Sequence, residues 1–165
     1  MLILCDQRFL VDVLILLPCA TIYAGAALAT LDAVYLHGQL PSSTSFKTVT
    51  FGQPRVGNQA FADYVDHNTP ITHITNKKDP VPIIPARNLG YVHPSGEIHI
   101  AEGTWSPCPG KHPLHLSRYG LSMYRLKTGQ ENESKSCSDG AVPNVSDAVE
   151  ADHDGPYSGI MLGRC

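Results

Sequence analysis

Asp79 stands in Asn76-Lys77-Lys78-Asp79-Pro80-Val81-Pro82, directly behind a predicted strand. A loop at that place can aim a carboxylate at an imidazole, holding the ring in one tautomer and stabilising the imidazolium formed during proton transfer. The same residue can equally do no more than open a turn ahead of Pro80. The chain has eight histidines to choose from. His153, between Asp152 and Asp154, reads by itself as a solvent-facing loop histidine with two acidic neighbours. His93 and His99 fall on a predicted hairpin, where packing or hydrogen bonding is their expected role. The five cysteines are Cys5, Cys19, Cys108, Cys137 and Cys165. They contain no CxxC pair and no Cys/His spacing of the zinc type, so no metal site is expected. An odd count leaves at least one thiol without a partner in the chain.

These residues need elements to hold them. Residues 13–17 form a short apolar run suited to a buried parallel strand. Residues 25–36 (GAALATLDAVYL) are rich in Ala and Leu and predict a helix packed closely on a sheet. A loop follows over 41–45. Residues 46–51 (FKTVTF) alternate and carry β-branched side chains, which predicts a strand. Residues 52–57 form a turn in which Gly52 and Gly57 supply conformational freedom, and Asn58 is placed to cap a helix over 58–66. Within that helix Phe61, Tyr64 and Val65 share a face. Residues 71–75 (ITHIT) predict a further strand, and 90–100 a hairpin built on Pro94-Ser95-Gly96. The rest is polar and loop-like. Strand, helix, strand, helix, strand is the rhythm of an α/β fold with a mostly parallel sheet.

With 165 residues, 42% hydrophobic and 16% charged, the composition is that of one folded domain. A net charge of −3 without a basic block argues against nucleic acid as a partner. Residues 11–20 (VDVLILLPCA) have the apolar character of a signal-peptide core, but Asp6 and Asp12 interrupt the region and its start is not basic. The run is too short to span a bilayer, and a buried strand leading into a helix is the preferred reading. Asn132-Glu133-Ser134 and Asn144-Val145-Ser146 are glycosylation sequons, relevant only to a secreted chain.

Five segments in order, GAALATLDAVYL (25–36), VTFGQPRVGNQAFADYV (49–65), THITNKKDPVPIIP (72–85), GYVHPSGEIHI (90–100) and DHDGPYSG (152–159), resemble the class 3 fungal lipases, especially those of basidiomycetes. The resemblance implies an α/β-hydrolase-type fold, here truncated at its N-terminal side. It implies hydrolysis of carboxylic esters of lipids, notably triacylglycerol, by a Ser–Asp–His triad, with no metal or organic cofactor and a lipid–water interface as partner. A feruloyl-type esterase shares the family, and a catalytically dead remnant is the alternative from another class. Secretion is implied too; in an oxidising compartment a disulfide between Cys108 and Cys137, close in sequence once residues 111–129 are set aside, is expected, the alternative being five free thiols. Cys165 would then look for a partner upstream, where Cys5 and Cys19 are poor substitutes. Asp79 matches the family's acid. His153 matches its histidine in the Asp152-His153-Asp154-Gly155-Pro156-Tyr157 version, and His115, in His115-Leu116-Ser117-Arg118-Tyr119-Gly120, is the alternative.

The nucleophile does not match. The family's elbow, Gly-His-Ser-Leu-Gly, aligns with Thr21, Ile22, Tyr23, Ala24 and Gly25, so Tyr23 stands at the serine's position. A phenol is bulky and ill suited to acyl transfer from a strained turn, so the chain as written is expected to be inactive. Two further oddities suggest translated intron. Residues 1–24 have no family likeness, and Tyr23-Ala24-Gly25 fits read-through of TATGCAG. Residues 111–129 interrupt the likeness, and their borders fit a GGTAAG donor at Gly110-Lys111 and an AG acceptor at Thr128-Gly129. Residues 25–165 are thus expected to be a lipase-type domain with an insertion at 111–129. Arg55, in the Gly52–Asn58 turn, is expected to be structural. Trp105, the single tryptophan, is expected to be a core or surface anchor, and Val81, Ile83 and Ile84 to border the substrate site.

Overall fold

Alternating Thr and apolar residues set the sheet. The computed structural model describes residues 22–41, 44, 47–69, 71–110 and 133–162, without the side chains of 22–24. The first helix, α1, runs Ile22–Gln39, and the first strand, β1, runs Thr48–Phe51. A two-residue strand β2, Gly57–Asn58, leads into α2, Gln59–Asn68. Then come β3 (Ile71–Asn76), β4 (Tyr91–Val92), β5 (Glu97–Ala101) and β6 (Thr104–Pro107). Two single-turn helices follow, α3 (Ser138–Ala141) and α4 (Ala151–Asp154).

The main sheet has the order β1-β3-β5-β6. The first three strands are parallel, with Thr48 opposite Ile71 and His73 opposite Glu97. β6 returns antiparallel on β5, pairing Ala101 with Thr104. This is a mostly parallel sheet with helices packed on it, the α/β architecture that the sequence predicts.

Two clusters anchor it on opposite faces. Ala33, Val65 and Ile71 pack with Val34 and Phe61 between α1, α2 and β3. Ile74, Ile100 and Tyr157 pack with Val49, Phe51, Ile98 and Leu162 on the other side. Side chains alternate across a strand, so Ile71 and Ile74, three residues apart, serve different clusters. On α1 the buried face is small: Ala26, Ala29, Thr30 and Ala33 recur at helical spacing, while Leu28, Leu31 and Tyr35 face outward. Alanines let the helix approach the sheet closely. In α2, Asn58 caps the start as expected, its Oδ1 accepting from Phe61 N at 3.0 Å.

The hairpin expected over 90–100 does not form. β4 pairs antiparallel with β2, and β5 joins the parallel sheet beside β3. Ile98 and Ile100 are the reason, since only the main sheet offers them an apolar layer. The hairpin lies one step later, β5–β6, turning at Glu102 and Gly103, both with positive φ. The region predicted to be loop-like thus supplies a strand and two short helices. The expected strand over 13–17 and the insertion at 111–129 lie outside the described residues, as does part of the loop over 41–45. Among the described residues no helix is long and apolar enough to cross a membrane.

Candidate active site

Three chain segments converge beyond the carboxyl ends of β1 and β3. In open α/β sheets ligands bind at that end. The first segment is Gly52, immediately after β1, with φ +54° and its N–H bonded to Ile74 O at 2.9 Å. The second is the turn Asn76 to Asp79 after β3, closed by Asp79 N donating to Asn76 O at 2.9 Å. The third is α4 with the loop after it, which carries His153 and Tyr157.

Asp79 and His153, 74 positions apart, meet there. His153 Nδ1 is 3.0 Å from both carboxylate oxygens of Asp79. Both residues are buried, at 1% and 4% exposure, which strengthens a charge-assisted contact. Two more donors hold the carboxylate: Val81 N to Oδ1 at 2.8 Å and Tyr157 Oη–H to Oδ2 at 3.2 Å. Burial and the adjacent Asp79 charge push the Tyr157 phenol far above its ordinary range, so it stays protonated and remains a donor. Its ring is in turn fixed edge-on against Phe51 of β1, with centroids 5.4 Å apart. A carboxylate satisfied in this way holds the imidazole with Nδ1–H toward Asp79. The basic lone pair of the neutral ring is then on Nε2, the nitrogen that can take a proton from a hydroxyl.

Gly52 closes the floor of the pair. A Cβ there would stand 2.8 Å from His153 Cε1 and 2.9 Å from both Asp79 Oδ2 and His153 Nδ1. The residue therefore serves close approach as well as the turn that its sequence context predicts. Val81 and Ile83 form a buried 3-10 turn right after the acid, with Ile84 at its end half-buried.

The other predicted residues sort clearly. His115 lies outside the described residues, as do Cys5, Cys19 and Cys165. Tyr23 is the second residue of α1, and its side chain is likewise outside what is described. Cys108 and Cys137 are bonded, with Cα atoms 6.1 Å apart. Arg55 is a structural hub: Nε and Nη2 reach Glu133 at 2.7 and 2.8 Å, Nη2 also reaches Asp139 at 3.1 Å, and Nη1 donates to the carbonyls of Ile83 and Pro85. Trp105 is 46% exposed and anchors the β5–β6 turn by donating to Ser158 Oγ.

Beneath the sheet lies a buried polar layer. His73 and His93 stack with centroids 4.8 Å apart, and their Nε2–H groups donate to Pro94 O and Pro82 O at 3.1 and 2.8 Å. Burial lowers both rings, His93 to about 4, so both are neutral at neutral pH. Thr75 donates to Glu97 Oε1 at 2.8 Å, and His99 Nδ1 lies 2.9 Å from the same hydroxyl. Burial lowers His99 as well, against the pull of Glu97. Burial alone would raise Glu133, but the Arg55 hydrogen bonds outweigh it and hold the carboxyl low. His93 and His99 do pack and hydrogen-bond, as expected, with His99 on β5 of the β5–β6 hairpin and His93 outside it.

Sequence reasoning missed three participants. Tyr157 was visible only as part of a motif, and nothing in the order of residues aims its hydroxyl at a carboxylate 78 positions earlier. Gly52 signalled a turn but not a neighbour. Glu133, half of a buried ion pair, was read as the middle of a sequon.

Residues 24–89 match the family of class 3 lipases. A secreted mono- and diacylglycerol lipase of Malassezia restricta is 37% identical over 106 residues, covering 60% of this chain and 34% of that protein. The Rhizomucor miehei lipase in its propeptide complex superposes with a TM-score of 0.63 at 31% identity, covering 86% of this chain and 40% of that one. A triacylglycerol lipase whose catalytic centre is described as a serine protease triad superposes with a TM-score of 0.62 at 31% identity, covering 84% and 46%. The chain spans about a third of the length of the curated relatives it matches.

Proposed function

With residues 24–89 a class 3 lipase segment, we propose that this chain carries the acid and the base, but not the nucleophile, of a hydrolase for acylglycerol esters. The observation that carries the reading is the buried contact of His153 Nδ1 with Asp79 at 3.0 Å. In the reaction, Asp79 holds the ring and stabilises the imidazolium. His153 Nε2 takes the proton of an attacking serine hydroxyl and returns it to the departing alkoxide. Backbone N–H groups beside the serine hold the oxyanion. The substrate class follows the relatives, named mono- and diacylglycerol lipases. They are also named as secreted, which supports an extracellular site of action at a lipid–water surface.

Tyr23 takes the serine's place in this reading. Its phenol is too bulky and too poorly matched to the turn to serve. Residues 25–165 are the lipase-type portion, interrupted at 111–129, and 1–24 are foreign to it. A family match that begins at residue 24 supports the first boundary.

An active-site fluorophosphonate probe tests both halves of the proposal. The chain as written is expected to remain unlabelled, and labelling would overturn the loss of the nucleophile. A transcript read around codons 20–26 and 109–131 is expected to reveal exons that supply a serine. Their product is expected to be labelled and to hydrolyse emulsified monoacylglycerol. A product that carries the serine and does neither would overturn the hydrolase reading.

A further inference from the structure

The turn that carries Asp79 and the segment that carries His153 are bound to each other independently of the Asp–His contact. Asn76 Nδ2–H donates to the backbone carbonyl of Asp152 at 2.8 Å. Lys78 N–H donates to the Asp152 carboxylate at 3.2 Å. Val149 N–H donates to Lys78 O at 2.9 Å. Lys77 Nζ stands 3.8 Å from Asp152 Oδ1, a partly exposed pair of small weight. Three hydrogen bonds thus stitch residues 76–78 to 149–152, the four residues just ahead of His153.

We propose that Asn76 and Asp152 are positioning residues, a clamp that sets the separation of Asp79 and His153. This rests on the reading of that pair as acid and base. Helix α4 has a single turn and cannot hold a side chain in place by its own hydrogen bonds. Its N-cap residue Glu150 makes no side-chain capping bond. The placement of His153 therefore depends on bonds to residues outside the helix, and those of Asn76 and Lys78 to Asp152 supply it. Asn76 is fully buried, and its Oδ1 has no hydrogen-bond partner. A buried amide with one unsatisfied oxygen is a poor choice for packing alone. Its value lies in the Nδ2–H that reaches the carbonyl next to His153. Lys77 adopts φ +42°, an uncommon conformation for a residue with a side chain. That conformation turns the Lys78 N–H and C=O toward the 149–152 segment. The clamp does not touch substrate. It acts through the distance and alignment of the His153–Asp79 hydrogen bond, a requirement stricter than folding.

The test uses the full chain with isotope-labelled histidine, followed by proton NMR of the His153 Nδ1–H, identified by its disappearance in H153Q. Four variants with their melting temperatures complete the set: N76A, D152A, D152N and the remote control K47A, an exposed residue ahead of β1. The clamp predicts that N76A and D152A lose the signal, or exchange it about tenfold faster, as expected when one hydrogen bond of this class is removed. D152N retains an acceptor for Lys78 N and is expected to restore the signal, and K47A to leave it unchanged. A purely structural role would instead lower the melting temperature of N76A and D152A while leaving the signal intact in the folded fraction. That result overturns the clamp. Should both variants fail to fold, amide exchange in the unaltered chain decides. Protected Lys78 and Val149 amides support the clamp, and amides exchanging as freely as in a loop overturn it. Absence of the Nδ1–H signal from the folded, unaltered chain would overturn the acid–base pair itself, not the clamp.

Discussion

Gly52→Ala is the sharpest single perturbation the site offers. Gly52 has φ +54°, a region costing a residue with a Cβ about 1–2 kcal/mol. The new methyl would also lie under 3.0 Å from three atoms, one in the Asp79 carboxylate and two in the His153 ring. Real Cβ atoms do not tolerate that approach, so the pair must separate. A hydrogen bond to a charged group contributes about 1.5–3 kcal/mol, which is then lost in part or whole. Removing a glycine from the unfolded chain returns only about 0.4–1 kcal/mol. The balance is a net destabilisation of about 2–4 kcal/mol, which for a chain of this size lowers Tm by roughly 5–15 °C. Gly38, exposed near the end of α1 with nothing within 4 Å of an added Cβ, is the internal control. Gly38→Ala is expected to stabilise by about 0.5–1 kcal/mol. Urea melts of both variants, with proton NMR of the His153 Nδ1–H, form the assay. If Gly52→Ala matched the unaltered chain in stability and kept that signal, the close approach at the floor of the site would be refuted.

The buried histidines make stability depend on pH. In the folded chain His73 and His93 are lowered by burial, so the unfolded chain binds protons more readily below pH 6.5. Their contribution is complete above that pH and is lost as pH falls toward about 4, the value for His93, while Glu133, held low by Arg55, adds a loss once pH drops below 4.5. Urea midpoints are expected to hold from pH 7.5 to about 6.5 and to fall from there to 4.5, and a flat profile over the lower range would contradict the burial of the stacked pair. The bond between Cys108 and Cys137 closes a separation of 29 residues, which on chain-entropy grounds is worth about 3–4 kcal/mol. Cys137→Ser is therefore expected to lower the urea midpoint clearly, and an unchanged midpoint would count against the link. Glu133→Gln leaves Arg55 buried with, among the described residues, the partly exposed Asp139 as its remaining charged partner, and breaking a buried pair in this way costs about 3–5 kcal/mol. Arg55→Lys, lacking the planar fork, is expected to fall short of full stability by thermal melt.

The elements were legible where one physical signal ruled. The alternation of Thr48 to Phe51 and of Ile71 to Thr75 could pack only as strands, and Asn58 ahead of an apolar-faced helix had one evident role as a cap. The hairpin failed because its signal, Pro94-Ser95-Gly96, is local, while the partner of β5 is set by Ile98 and Ile100 seeking the layer made by Ile74 and Tyr157. A turn motif says that the chain bends, not which strand waits beyond the bend. The buried polar layer was illegible for a similar reason. His73, Thr75, Glu97 and His99 look like solvent-facing positions in their strands, yet the parallel register sets His73 beside Glu97 and Thr75 beside His99, where they satisfy one another.

The site divides along the same line. Asp79 and His153 could be named because their flanking segments carry a recognisable pattern, but their mutual distance depends on contacts no pattern encodes. Those contacts are Tyr157 to Asp79, Val81 N to Asp79, and the stitching of residues 76–78 to 149–152. All of them lie within β3, the residues after it as far as Val81, and the 149–157 segment. Among the described residues, none of these contacts involves the start of α1, where the proposed nucleophile position falls. These contacts are supplied by one part of the fold, and the proposed hydroxyl would be delivered by another. Loss of the second need not disorganise the first. A chain that carries Tyr23 is expected to present an assembled, buried acid–base pair with no nucleophile to activate.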